Sequence, residues 1–239
     1  MKTIKGIWRF SRVICYTFVC LFQAYTRFKH VDRKEKGRML RYYPTQVLKL
    51  AGVRCSYEGH VPELLHECGL TDTPPACLVL SNHVSWLDIF SLDSQLPSRF
   101  IAKAEIAKWP IFGLIAQQIG TLFINRSSKR AILRINDDIR GALCNCEAVT
   151  IFAEGTTTFG NELLPIKANF IAPACEIGAT VQPVILSYKN KGKPTKQAAF
   201  SGDVTLFGSL WNVVTMEDAE VVVHFLEPIT NTKDLTRHE

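Results

Sequence analysis

The sequence predicts an α/β fold: a single domain with a mostly parallel or mixed sheet flanked by helices, preceded by an N-terminal helical segment. Three observations predict it. Short, wholly apolar runs, of which Ala76–Leu80 (ACLVL) is the clearest, alternate with longer stretches of helical period. Strands that are continuously apolar belong to sheets covered on both faces. Finally, 239 residues at 47% apolar content suffice for one substantial core and call for no second domain.

Charge is concentrated at the front. Residues 1–41 contain eleven Lys and Arg against Asp32 and Glu35, a balance of +9, which leaves −3 for residues 42–239 out of the net +6. A nucleic-acid-binding enzyme spreads cations and exposed aromatics over its domain face, so this pattern argues against such a partner. From Ile14 to Ala24 the chain reads ICYTFVCLFQA, with Ile7, Trp8 and Phe10 set among cations before it. About 20 uninterrupted apolar residues are needed to cross a bilayer, and Arg9 and Arg12 cut the run short. Leu21, Phe22, Tyr25 and Phe28 recur at helical spacing, with Arg27, Lys29, Arg33, Lys34, Lys36 and Arg38 close by. That pattern predicts a helix lying in a lipid interface, its cations on phosphate head groups. Residues 1–38 are therefore expected to form a basic, apolar, membrane-associated helical segment, and 39–239 the folded domain. No small-x-small cleavage site follows the apolar run, which disfavours a signal peptide. A core helix tucked against the domain is the competing reading.

The remaining elements follow in order. A helix is expected over Met39–Leu50, a strand over Val53–Gly59, and a brief helix or turn over Glu63–Cys68 before the break at Thr71-Asp72-Thr73-Pro74-Pro75. After the Ala76–Leu80 strand come strands at Arg99–Ala102, Thr121–Ile124, Ala148–Phe152, Thr180–Ser187 and Val221–Phe225. Helical stretches over Trp86–Ser94, Glu105–Ile115, Lys129–Leu143 and Pro165–Ile177 separate several of them. The eight cysteines lack the C-x-x-C pairing of a structural zinc site; several sit in apolar runs, where a free thiol packs as a small hydrophobe.

Two motifs carry chemistry. Asn82-His83-Val84-Ser85-Trp86-Leu87-Asp88 follows the ACLVL strand, at the strand end where open α/β sheets place their sites. Ser81 or Asn82 can cap the next helix and hold the imidazole at the strand end. If His83 sits on the loop, Asp88 can reach one ring nitrogen, fix the tautomer and leave the other nitrogen as a base for a hydroxyl. On spacing alone, a capping His83 and a solvated Asp88 remain an equal alternative. Ser85 lacks the G-x-S-x-G elbow of a hydrolase. The second motif, Phe152-Ala153-Glu154-Gly155-Thr156-Thr157-Thr158, ends another strand in a glycine turn that can direct backbone N–H groups and hydroxyls to the same sheet edge. Arg126 and Lys103 each follow a short strand and are candidate anion clamps. Pro183 interrupts an apolar strand, where it either shapes a site wall or marks an edge strand.

Taken in order, these residues resemble the 1-acyl-glycerol-3-phosphate acyltransferases and related glycerolipid acyltransferases. The N-H-x-x-x-x-D block is matched by Asn82, His83 and Asp88; G-x-x-F-x-x-R by Gly120, Phe123 and Arg126; F-P-E-G-T-R by Phe152, Glu154, Gly155 and Thr156; and the strand proline by Pro183. The resemblance implies that His83 is a general base oriented by Asp88. The acceptor oxygen then attacks the thioester of an acyl carrier protein or coenzyme A, with no cofactor beyond that donor and no metal. It further implies that Lys103, Arg126 and the Glu154-Gly155-Thr156-Thr157 loop hold a lysophospholipid acceptor, that 39–239 is the glycerolipid acyltransferase catalytic domain, and that it faces the cytoplasm beside the membrane lipid holding the acceptor. Two departures stand out: Ala153 replaces the proline, and Thr157 replaces an arginine that ligates phosphate in phosphatidate-forming members. A neutral hydroxyl cannot supply that charge. Either Lys103 and Arg126 suffice, or the acceptor is a different lysolipid, such as lyso-ornithine lipid, whose acyltransferases carry similar E-G-T-T-T loops. A lipid-binding protein without activity is the non-enzymatic alternative.

Overall fold

The computed structural model describes residues 2–59, 77–125 and 128–235. The turn expected at 63–68, the break at 71–75 and Arg126 lie outside the described residues. At the centre is β2 (Cys77–Ser81), with Cys77, Leu78 and Val79 fully shielded from solvent. Such burial requires cover on both faces, and both faces are covered. Cys77 and Val79 pack with Leu48, Leu87, Leu92, Phe152, Val184 and Val213 on one side. Leu78 packs with Ile135, Ile139, Leu143, Val149 and Ala174 on the other.

The first cover layer contains α1 (Lys2–Thr26), α2 (Arg33–Ala51), α3 (Leu87–Gln95) and α7 (Leu206–Val214); the second contains α5 (Lys129–Cys144) and α6 (Ala172–Ile177). The other strands are β1 (Val53–Gly59), β3 (Arg99–Lys103), β4 (Leu122–Ile124), β5 (Ala148–Phe152), β6 (Thr180–Asn190), the two-residue β7 (Lys193–Pro194) and β8 (Ala219–Phe225). The sheet runs β1-β8-β6-β2-β5-β3-β4, with β7 beside β6. From β6 to β4 all neighbours are parallel; β8 is antiparallel to β6, and β1 is parallel to β8. The mixed α/β sheet flanked by helices is therefore as expected. Because β2 and β5 are parallel, with Ser81 opposite Phe152, the loops that leave them emerge at one sheet edge.

The N-terminal part of the expected fold class needs correction. No helix among the described residues is long and apolar enough to cross a membrane. Lys2, Lys5, Arg9 and Arg12 occupy the first half of α1, and the uncharged remainder is too short for a bilayer core. The helix α1 also does not stand apart from the rest of the chain: it packs on α2, on α7 and on α4 (Phe112–Gln118). Val13 belongs to the first core, while Ile4, Ile7, Trp8, Phe18 and Phe22 stay exposed on the outer side. Arg9 is a main tie. Its buried guanidinium donates from Nη1 to Val214 O at 3.1 Å and Met216 O at 2.9 Å, where the C-terminus of α7 favours a cation. It also lies over Gly52, the left-handed cap of α2 at φ +76°, where an added Cβ would sit 2.1 Å from Arg9 Cζ. Gly52→Ala is therefore expected to cost about 1–3 kcal/mol through backbone strain and a displaced Arg9, read as a lowered midpoint in urea.

Three other differences have local causes. The helix expected over 105–115 is split into a 3₁₀ turn at Ala104–Lys108 and α4, since Pro110 and the positive φ of Ile111 break it. The helix expected from Pro165 is confined to the 3₁₀ turn Ala168–Phe170 and α6, because the backbone before it is pulled toward Glu154. The helix α7 was not expected; Thr205 caps it by accepting from Gly208 N at 3.1 Å. Among the described residues no group of three His, Cys, Asp or Glu is arranged to hold a metal, and the seven described cysteines are free thiols.

Asp93, buried in α3, accepts from Ser98 N at 3.0 Å, and its burial pushes the carboxyl well above the ordinary carboxylate range. A raised folded-state value means that its proton stabilises the fold at low pH and that this stability is lost as pH rises through the folded value. Asp93→Asn keeps an acceptor for Ser98 N and removes the ionisation. It is expected to raise the thermal midpoint at pH 8 while changing it little at pH 4.

Candidate active site

The loop after β2 is held by its own side chains. Asn82 mimics a strand residue: its Nδ2 donates to Leu186 O at 3.1 Å and its Oδ1 accepts from Leu186 N at 2.7 Å, fixing the loop to β6. Neither Ser81 nor Asn82 caps α3, whose cap position is Trp86 without a side-chain bond. Instead Asp88, in the first turn, reaches back with Oδ2 to accept from Val84 N at 2.7 Å and Ser85 N at 2.9 Å. The bend thus formed brings His83 Nδ1 to 2.7 Å from the same oxygen.

His83 sits on the loop, its side chain 20% exposed, while Asp88 is fully buried. The imidazole stacks on Phe152 at 3.9 Å between centroids and 9° between planes, and Phe152 leans in turn on Phe100. The backbone is held at both ends: His83 N donates to Glu154 Oε1 at 2.9 Å and His83 O accepts from Thr158 N at 2.8 Å. With Nδ1–H directed to a buried carboxylate, the lone pair is on Nε2, the nitrogen that can take a proton from a hydroxyl. Tyr188 OH donates to the other oxygen, Asp88 Oδ1.

The second motif meets the first at this edge. Glu154 is buried and bridges two loops, Oε1 to His83 N and Oε2 to Leu164 N at 3.0 Å. Gly155 turns the chain at φ +74°, and Thr156 is exposed. The Thr157 hydroxyl donates to Phe200 O, while Ser201 Oγ donates to Thr157 O at 3.3 Å and Phe200 N to Val84 O at 2.8 Å. Three loops are thereby joined around His83. Lys103 ends β3, exposed, at the same edge and two strands from β2. Arg126 is outside the described residues; β4 stops at Ile124, just before it. Pro183 lies on an interior strand, one residue before the β6–β8 register begins, so it does not mark a sheet edge. Ser85 is fully buried, with Oγ accepting from Leu87 N at 3.4 Å, a poor position for a nucleophile.

The sequence reading missed Asn82 as a bridge to β6 and Tyr188 as a partner of Asp88. The signal for Tyr188 was present: it shares strand parity with Val184 and Leu186, and an inward tyrosine needs a partner for its hydroxyl.

Comparison with known proteins places this geometry in context. The family model described as Acyltransferase matches residues 62–187. The 1-acyl-sn-glycerol-3-phosphate acyltransferase of Neisseria gonorrhoeae is 42% identical over 154 residues, covering 64% of this chain and 60% of the relative. The lyso-ornithine lipid O-acyltransferase of Rhizobium meliloti is 32% identical over 222 residues, covering 87% of this chain and 73% of the relative. The crystal structure of the 1-acyl-sn-glycerophosphate acyltransferase from Thermotoga maritima superposes with a TM-score of 0.68 at 18% identity, over 100% of this chain and 91% of that one, a likeness of fold. The match thus spans about 60% of the length of the Neisseria relative.

Proposed function

Because the chain belongs to the acyltransferase family, we propose that it moves a fatty acyl group from an acyl-carrier-protein or coenzyme A thioester to the free hydroxyl of 1-acyl-glycerol-3-phosphate, giving phosphatidate. One observation carries this reading: His83 Nδ1 is bonded to the buried Asp88 carboxylate at the joined ends of β2 and β5, which leaves Nε2 as the base. Nε2 takes the proton as the hydroxyl oxygen bonds to the thioester carbon, and the carbonyl electrons move onto oxygen. Collapse breaks the C–S bond, and the leaving thiolate takes the proton from His83. The Asp88 carboxylate steadies the imidazolium between these steps.

Lys103 and Arg126 are proposed as the cations facing the acceptor phosphate, with Glu154, Gly155, Thr156 and Thr157 forming the loop that bounds the head group. The domain is proposed to act on the cytoplasmic side of a membrane, the inner membrane in a bacterial host, because the acceptor is an amphiphile that stays in lipid. No membrane-crossing helix is part of this proposal.

Thr157 favours a second reading. Its neutral hydroxyl is spent on Phe200 O, so it offers an acceptor phosphate no charge, and O-acylation of lyso-ornithine lipid fits that position as well. The test is transfer of labelled acyl groups from both thioester donors to lysophosphatidate and lyso-ornithine lipid in parallel. Phosphatidate as the product supports the first reading and ornithine lipid alone the second. No transfer to either contradicts both.

A further inference from the structure

We infer that Tyr188 is a positioning residue of the reaction, holding Asp88 from the side opposite the histidine. Asp88 Oδ2 accepts from His83 Nδ1, Val84 N and Ser85 N, so that oxygen is fully committed. The remaining oxygen, Oδ1, accepts from the phenol of Tyr188, which reaches it from β6 through the first core. The carboxylate is thus gripped at both ends by different elements and cannot rotate about its terminal bond. His83 then meets an oxygen of fixed position.

The phenol is suited to this task because it stays neutral. Burial, and the neighbouring Asp88 charge, push its pKa well above the ordinary tyrosine value. The groups facing it are Asp88 of α3, Ser85 of the loop and Cys55 of β1, a thiol whose own pKa is raised by burial. Asp88 is therefore the one charged group among them. A neutral donor on Oδ1 draws negative charge away from Oδ2 and lowers the proton affinity of the His83–Asp88 pair. Removing it should raise that affinity and loosen the geometry together.

This inference rests on the proposed acyl transfer by His83. Tyr188→Phe is expected to lower kcat about tenfold with KM changed less than about twofold, and to move the acidic limb of the kcat/KM profile upward by about half a pH unit. Site-specific 3-fluorotyrosine at the same position keeps the shape of the side chain and strengthens the donor, and it should move the limb downward. An NMR titration of the His83 ring in wild type and both variants should show the same opposite displacements without depending on turnover. Superimposable titrations and pH profiles would overturn the inference, even with a slower Tyr188→Phe enzyme, because a purely structural role lowers rate without moving protonation. A wild type inactive on every lysolipid, yet with the displaced titrations, would contradict the transfer reading and leave the role of Tyr188 standing.

Discussion

His83→Ala is expected to reduce acyl transfer by about 10² to 10⁴, the contribution of a positioned general base, while leaving the protein folded. The two effects separate because the loop does not depend on the imidazole. Its shape is set by Asn82 on Leu186, by Asp88 on Val84 N and Ser85 N, and by Glu154 on the His83 backbone N–H. Substitution at the side chain leaves all of these in place. What is lost is one hydrogen bond and the stack on Phe152, a stability change of about 1 kcal/mol. Initial rates with a labelled thioester, together with urea unfolding of the same preparation, check both parts.

Asp88→Asn is expected to act on rate and stability together. The four donors that converge on this carboxylate face an acceptor-only group, and an amide gives one of its two positions to an NH₂. With the amide oxygen toward the loop, Val84 N, Ser85 N and His83 keep their acceptor, while the Tyr188 hydroxyl can no longer donate at the Oδ1 position and must turn to accept from the NH₂ there. The charge that steadies the imidazolium is absent in either orientation. A loss of about 10² to 10⁴ in kcat follows, and a cost of about 1–3 kcal/mol in stability. A folded Asp88→Asn protein with wild-type kcat would show that the pair is a structural cap and that His83 works without it.

How much of this was legible in the sequence depends on the range of the interaction. The continuous apolar run at β2 announced a central, doubly covered strand, since its burial is written in consecutive residues. The pairing of His83 with Asp88 was legible as a spacing but ambiguous as a geometry. A helical reading of 83–88 separates the two side chains, and the irregular backbone that joins them exists because Asp88 binds the loop's own N–H groups. Contacts between distant segments left fainter marks. Asn82 reads as a cap until its amide is seen spanning Leu186 of β6, and nothing in the local sequence shows that the Thr157 hydroxyl is bound to Phe200 O.

At the N-terminus, composition suggested lipid because the sequence displays the exposed apolar residues and the cations but not what lies beneath them. Val13 in the core, and Arg9 at the end of α7 over Gly52, are tertiary facts that tie one face of α1 to the domain, and the pattern of the sequence does not display them. The missed α7 has a related cause. Its run Leu206–Val214 contains Gly208, a weak helix former, and its stability comes from burying Leu210, Val213 and Val214 on the sheet.

The most direct measurement of the central claim is a single-turnover reaction of the purified wild-type chain with a radiolabelled acyl thioester, quenched at intervals with and without lysophosphatidate. Direct transfer from thioester to a hydroxyl activated by His83 predicts label that passes into lipid only when acceptor is present, with none bound to protein. Stoichiometric label on the protein before acceptor is added, still formed by His83→Ala, would contradict it.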